Sequence, residues 1–143
     1  MEFLQWNDKR MGLGIKLIDD QHKELLKIMN KLSTSINENS QKRNVLEIVE
    51  ELVDYANYHF TTEEKIFDKL DYEETEIHKK EHAIFVEKFI KIKNKLSDNE
   101  LYLKKSAIEI ADDIFKYIIN WFLDHISGSD RRYIELFKKK GIK

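Results

Sequence analysis

Residues 73–96 read EETEIHKKEHAIFVEKFIKIKNKL. In this stretch His78, His82, Phe85, Phe89, Ile92 and Leu96 recur every three or four positions. That is the period at which side chains stack along one face of an α-helix. Lysines and glutamates fill most of the remaining positions. The spacing predicts an amphipathic helix from about Glu73 to Leu96, with two imidazoles one turn apart on its apolar face.

The same period extends outward in both directions. Upstream, Val45, Val49, Leu52, Ala56, His59, Glu63, Ile66 and Leu70 form one stripe, predicting a helix from about Asn44 to Leu70 that Asp71 and its acidic neighbours interrupt. An earlier helix starts at Asp19 or Asp20, either of which can cap it, and carries His22, Leu25, Leu26, Met29 and Leu32 to a polar turn at Asn37-Glu38-Asn39-Ser40. Downstream, Ser97-Asp98-Asn99 reads as a turn. A further helix from about Glu100 to His125 aligns Ala107, Ala111, Ile114, Ile118, Trp121 and His125. Gly128 interrupts the pattern, and a short terminal helix carries Tyr133, Leu136 and Phe137. The lysines at 138–140 and 143 read as a solvated tail. Residues 1–18 form an arm whose Gly12 and Gly14 are poor for a helix and whose Trp6 packs it onto the rest.

Four amphipathic helices joined by short turns make antiparallel neighbours. The expected fold is all-α: an up-down-up-down four-helix bundle over residues 19–127, within one domain covering 1–143. Residues 1–18 are the N-terminal arm and 128–143 a short C-terminal segment. Composition agrees. The chain has 143 residues, no cysteine, no proline and four glycines. Absent thiols exclude disulfides, Cys-liganded metal and a cysteine nucleophile. Sparse turn residues argue against a many-stranded sheet. A net charge of −2 offers no basic excess for nucleic acid. No stretch approaches the roughly 20 apolar residues of a membrane span. The N-terminal residues lack an apolar signal segment, so the expected setting is the cytoplasm, with neither nucleic acid nor membrane as partner.

All five histidines fall on these apolar stripes. One such histidine is more often a satisfied core residue. The pair at 78 and 82 is suggestive only, since chance supplies roughly 0.14 such pairs. His59-x3-Glu63 is weaker still in a chain this acidic. The arrangement is more specific: the first helix contributes His22, the second His59 and Glu63, the third His78 and His82, the fourth His125, with Asp130 five residues on. Unpartnered buried imidazoles cost free energy, and a metal site inside the bundle satisfies one nitrogen of each. Imidazole and carboxylate without thiolate suit iron, zinc, manganese or cobalt. Two six-coordinate ions offer about twelve positions. Five histidines, two bridging carboxylates and one bridging oxide or hydroxide leave one position open; a 3-plus-2 split of the histidines would place it on the ion with two. A five-residue step turns about 140° around an α-helix, so His125 and Asp130 would not share a face. The expected remedy is a helix break at Gly128 that re-aims Asp130.

Ile18-Asp19-Asp20-Gln21-His22, His59-Phe60-Thr61-Thr62-Glu63-Glu64, His78-Lys79-Lys80-Glu81-His82 and Trp121-Phe122-Leu123-Asp124-His125-Ile126 through Asp130 together resemble the hemerythrin family, in particular its single-domain bacterial members. Trp6 and Gly14-Ile15 resemble the family's N-terminal arm. The resemblance spans essentially the whole chain with no departure at a ligand position. It implies a non-haem di-iron centre that binds O2 reversibly. His78, His82 and His125 would hold one iron and His22 and His59 the other, with Glu63, Asp130 and an oxide or hydroxide bridging both. It needs no protein acid or base. Small anions or nitric oxide would also reach the open iron.

Reversible binding needs a dry pocket. Candidate walls are Leu25 and Leu26 beside His22, Phe60 beside His59, and Ile118, Trp121, Phe122 and Ile126 beside His125, all of which could equally be plain core. Trp121 is the first choice. Tyr55, Tyr58 and Tyr133 are candidate partners for the ligands. Three readings follow: an O2 carrier or store that is not an enzyme, a di-iron oxidase, peroxidase or nitric oxide–handling protein, and an O2 or iron sensor read by a protein partner. The histidine-rich, nearly filled centre favours the first, because catalytic di-iron bundles are richer in carboxylate.

Overall fold

The computed structural model describes residues 4–37, 42–97 and 107–143. Among them the chain forms α1 (Asp8–Met11), α2 (Lys16–Asn37), α3 (Lys42–Leu70), α4 (Thr75–Ser97), α5 (Ala107–His125) and α6 (Ile134–Lys139), with a π-helical turn at Ile126–Asp130 and a 3-10 turn at Arg131–Tyr133 between α5 and α6. No strand is present among the described residues.

The cross-helix contacts fix the directions. His22 meets His59 and Lys31 meets Glu51, so α2 and α3 run antiparallel. Lys79 meets Asp68 and Lys93 meets Glu50, which sets α4 antiparallel to α3. The rings of Phe85 and Trp121 lie 4.3 Å apart and those of Phe89 and Tyr117 5.8 Å apart, so α5 returns along α4. The architecture is the expected all-α bundle. Its stripes meet in one core in which Phe67, Phe89, Ile118, Leu32 and Val49 are fully buried. Each such side chain contributes roughly 1.5–3 kcal/mol by leaving water.

The helix ends differ from the periodicity in instructive ways. α2 begins at Lys16, ahead of the expected Asp19 or Asp20. Neither Asp is its N-cap. Asp19 lies inside the first turn and accepts from Leu13 N at 2.9 Å and Gly14 N at 3.1 Å, tying down the preceding loop. α3 begins at Lys42, before the expected Asn44, and ends at Leu70 as expected. α4 begins at Thr75, after the expected Glu73. Asn37 and Ser97, expected to open polar turns, are the last residues of α2 and α4; the rest of those turns, residues 38–40 and 98–99, and the predicted start of the fourth helix at Glu100 lie outside the described residues. The arm is more ordered than expected. It contains α1, which stops at Gly12, where a Cβ would sit 2.6 Å from the Asp8 carbonyl oxygen. Asn30 on α2 clasps Leu4 through both its amide groups, at 3.0 and 2.9 Å. Lys23 lies over the Trp6 ring at 5.1 Å.

One expectation is overturned. Gly128 does not break the helix to re-aim Asp130. The chain continues through a π-helical turn over Ile126–Asp130, whose i→i+5 hydrogen bonding widens the turn by one residue. The five-residue step thereby returns Asp130 to the His125 face. Gly128 has open space where its Cβ would be, and its φ is not left-handed. The glycine is therefore not what makes the turn.

Candidate metal centre

Four bundle helices and the π turn aim seven side chains at one interior point. His22 comes from α2, His59 and Glu63 from α3, His78 and His82 from α4, His125 from the end of α5, and Asp130 from the π turn. All seven are buried, Glu63 and Asp130 completely. Their donor atoms fall into two groups, each lying within 4.8 Å: Glu63 with His78, His82 and His125, and Asp130 with His22 and His59.

The two carboxylates span both groups. Asp130 places Oδ2 3.2 Å from His22 Nε2, and Oδ1 3.1 Å from both His78 Nε2 and His125 Nε2. Glu63 places Oε1 2.9 Å from His59 Nε2 and 3.4 Å from His82 Nε2, with Oε2 3.8 Å from His78 Nε2. Between the histidines, the Nε2 atoms of His22 and His59 are 3.1 Å apart, and those of His82 and His125 are 3.3 Å apart.

Three of the rings are oriented from behind. His59 Nδ1 donates to Gln21 Oε1 at 2.7 Å. His82 Nδ1 donates to Glu64 Oε2 at 3.1 Å, and His125 Nδ1 to Glu81 Oε2 at 3.0 Å. Ser129 also donates to Glu81, at 2.5 Å. Amide and carboxylate oxygens accept here, so a ring hydrogen sits on Nδ1 and leaves Nε2 facing inward. This is the usual outer arrangement around a metal-bound histidine. Sequence reasoning missed Gln21, Glu64, Glu81 and Ser129. Gln21, Glu64 and Glu81 each stand one position from a candidate ligand, on the flank of a stripe where charged and polar residues are ordinary. Of the tyrosines considered instead, Tyr58 is exposed and Tyr55 lies with it on an outer groove of α2 and α3. Only Tyr133 is buried by the centre, its ring 5.8 Å from that of His78.

The electrostatics show a site short of positive charge. Burial raises the Asp130 carboxyl, but His125, His22 and His78 outweigh it and hold the group well below the usual carboxylate range. Burial and Asp130 likewise push Glu63 up, and His59 and His82 pull it below its ordinary value. Burial disfavours charge on His125, yet Asp130 and Glu81 raise its pKa to about 10. Burial lowers His22. Hydrogen bonding from His125 and Ser129 draws Glu81 down to about 2 against the cost of burial. Burial, then Asp130 and Glu63, push the Tyr133 hydroxyl well above the usual range. In the metal-free chain, His125 thus carries a second ring proton, with Nε2 toward buried Asp130 and Nδ1 toward half-buried Glu81.

The donor set fits metal cations. Both oxygens of Glu63 and of Asp130, His78 Nε2, His22 Nδ1 and the Tyr133 hydroxyl are buried without a hydrogen-bond partner. Leaving so many polar atoms unsatisfied is costly. Ligands at about 2.1 Å from one ion, at right angles, stand about 3.0 Å apart, close to the spacings above.

Aromatic rings wall the centre. Phe60 stacks on His82 at 3.9 Å, Trp121 on His125 at 4.4 Å, and Phe122 meets His22 edge-on at 5.7 Å. Leu25, Phe60, Ile118, Trp121 and Phe122, with Met29, Leu52, Ala56 and Phe85, line a narrow apolar cavity in which the centre of a water-sized sphere has about 10 Å³ of freedom. Leu26 and Ile126 are buried but outside this lining. Leu26 is one position around α2 from Leu25, and Ile126 is one turn beyond Phe122.

Comparison with known proteins agrees with this geometry. Residues 13–137 match the family model described as the hemerythrin HHE cation binding domain. The bacteriohemerythrin of Stenotrophomonas maltophilia is 28% identical over 138 residues, covering 96% of this chain and 84% of the relative. That of Clostridium acetobutylicum is 29% identical over 135 residues, covering 91% and 98%. A crystal structure of wild-type hemerythrin superposes with a TM-score of 0.79 over 92% of this chain and 95% of that one, at 23% identity, and so speaks for the fold alone. A bundle with five interior histidines and two spanning carboxylates, matched over nearly its whole length, belongs to the hemerythrin HHE cation-binding family.

Proposed function

We propose that the chain binds O2 reversibly at a di-iron centre, as a store, transporter or supplier of O2 in the cytoplasm, and that it is not an enzyme. In this reading His78, His82 and His125 hold one iron, His22 and His59 hold the other, and Glu63, Asp130 and an oxide or hydroxide bridge them. The observation that carries it is the convergence of two imidazole groups on two unpartnered carboxylates beside a narrow apolar cavity. A ferrous pair supplies the two electrons that reversible O2 binding requires.

The protein's own part is to hold, orient and keep dry. Gln21, Glu64 and Glu81 fix three imidazoles with their lone pairs inward. Phe60, Trp121 and Phe122 pack against ligand rings and exclude the water and protons that would release reduced oxygen irreversibly. A space of this size admits one small molecule, which suits O2 and also nitric oxide or a small anion. It leaves no room for a second organic substrate, which favours binding over oxidase chemistry.

The test is iron content together with the visible spectrum of the reduced protein before and after O2. About two irons per chain and a band that appears with O2 and fades on its removal are expected. One zinc per chain, or an unchanged spectrum, refutes the reading. Catalytic consumption of a reductant with O2 replaces it with the enzyme.

A further inference from the structure

The two groups of donors are supported unequally. His78, His82 and His125 offer three imidazoles with Glu63, whereas His22 and His59 offer two with Asp130. Behind the first group stand two carboxylates. Glu64 accepts from His82 Nδ1 at 3.1 Å, and Glu81 accepts from His125 Nδ1 at 3.0 Å. The Ser129 hydroxyl, 2.5 Å from the same Glu81 oxygen, holds that carboxylate in place. Behind the second group stands one neutral amide, Gln21, which accepts from His59 Nδ1 at 2.7 Å. His22 lacks even that. Its Nδ1 is buried with no hydrogen-bond partner among the described residues, and the rings of His59 and Phe122 meet it edge-on.

A carboxylate behind an imidazole does more than an amide or an apolar wall. It pulls on the Nδ1 hydrogen, makes Nε2 a stronger donor to a cation and fixes the plane of the ring. A hydrogen bond to a charged acceptor is roughly twice as strong as one to a neutral acceptor. Loss of such a partner typically weakens metal binding about 10–100-fold.

Charge acts in the same direction. The carboxylates of Glu63 and Asp130 reach both groups. One divalent ion neutralises the pair, so a second ion meets a weaker attraction and is repelled by the first. An ion in either group draws on Asp130. The extra proton that Asp130 helps to hold on His125 is therefore lost with the first ion wherever it lands, and does not decide the order.

We propose that the chain holds its two ions with unequal strength: the ion on His78, His82 and His125 is resident, and the ion on His22 and His59 is exchangeable. This rests on the two-ion reading above. Both ferrous ions are needed for the two electrons of O2 binding, so a chain that keeps only the resident ion has no O2 capacity. That capacity then follows the supply of iron.

Zinc, which has no redox chemistry, tests the order in the full chain. The protein is saturated with zinc and then challenged with chelator, with zinc per chain measured alongside the NMR signals of the imidazole nitrogens. Loss in two phases is expected, with rates at least about tenfold apart. The fast phase should free His22 and His59 and leave one zinc per chain on the other three histidines. Gln21→Glu puts a carboxylate behind His59 and should slow the fast phase several-fold. Glu64→Gln removes the charge behind His82 and should speed the slow phase about tenfold. Two ions leaving together, His78, His82 and His125 freed first, or variants with the rates of wild type would each overturn this inference and leave the two-ion reading standing. A chain that takes up only one zinc at saturation would overturn both.

Discussion

At His125 the hydrogen on Nδ1 goes to Glu81, 3.0 Å away, and the same carboxylate accepts the Ser129 hydroxyl. Glu81 therefore ties the last residue of α5 to the π turn that carries Asp130. Replacing it with alanine leaves the imidazole free to rotate and frees Ser129. Glu81→Ala is expected to weaken iron retention about 10–100-fold, measured as iron per chain after a timed challenge with chelator. Retention equal to wild type would deny Glu81 that role. The candidate ligands were legible because imidazoles on apolar stripes are conspicuous. Their supporting partners were not, because Gln21, Glu64 and Glu81 look like any polar residue at a helix flank until a neighbouring helix is in place.

Helices show the same division. The 3–4 spacing of Val45 to Leu70 and of His78 to Leu96 determines which face is buried, since burial follows apolar area. It leaves the ends loose, and Lys16 rather than Asp19 begins α2 because contacts outside the helix decide where it starts. The turn between His125 and Asp130 is the sharpest case. Nothing in Ile126-Ser127-Gly128-Ser129 signals an i→i+5 turn, and the glycine there pointed to a break. Two substitutions separate glycines that matter from those that do not. Gly128→Ala is expected to leave Tm unchanged or raise stability by up to about 1 kcal/mol, because the position is open and no left-handed φ is needed. Gly14→Ala should cost about 1–2 kcal/mol, because Gly14 has φ 79° and a Cβ there would crowd Lys138 Nζ at 3.1 Å. Thermal unfolding checks both, and a large loss at Gly128 would return the glycine to a structural role.

For the whole molecule, metal and proton compete for His125. In the metal-free chain its pKa is raised to about 10, by Asp130 and Glu81 against burial. A raised histidine stabilises the fold fully below its ordinary value of about 6.5 and loses that contribution as pH climbs toward the raised value. His22 is lowered by burial, so it opposes folding only below about pH 6.5. Glu63 and Asp130 are lowered as well, so their contribution is present above the ordinary carboxylate range and vanishes in acid. A bound ion replaces the His125 proton. The Tm advantage of loaded over metal-free protein should therefore widen from about pH 6.5 to about pH 9. A calorimetric series with a constant or shrinking gap would contradict this.

The amino-acid sequence by itself determined the all-α class, the inward faces of the helices and the seven residues that meet in the interior. All but Asp130, which lies off the helical period of His125, rest on periodicity along one chain segment, and period is local information. Only the tertiary structure decided how Asp130 reaches its place, which groups orient the imidazoles, which apolar residues line the cavity and which stay in plain core. Those depend on the distance and angle between helices far apart in sequence, set by how aromatic rings such as Phe60, Phe85 and Trp121 pack between them.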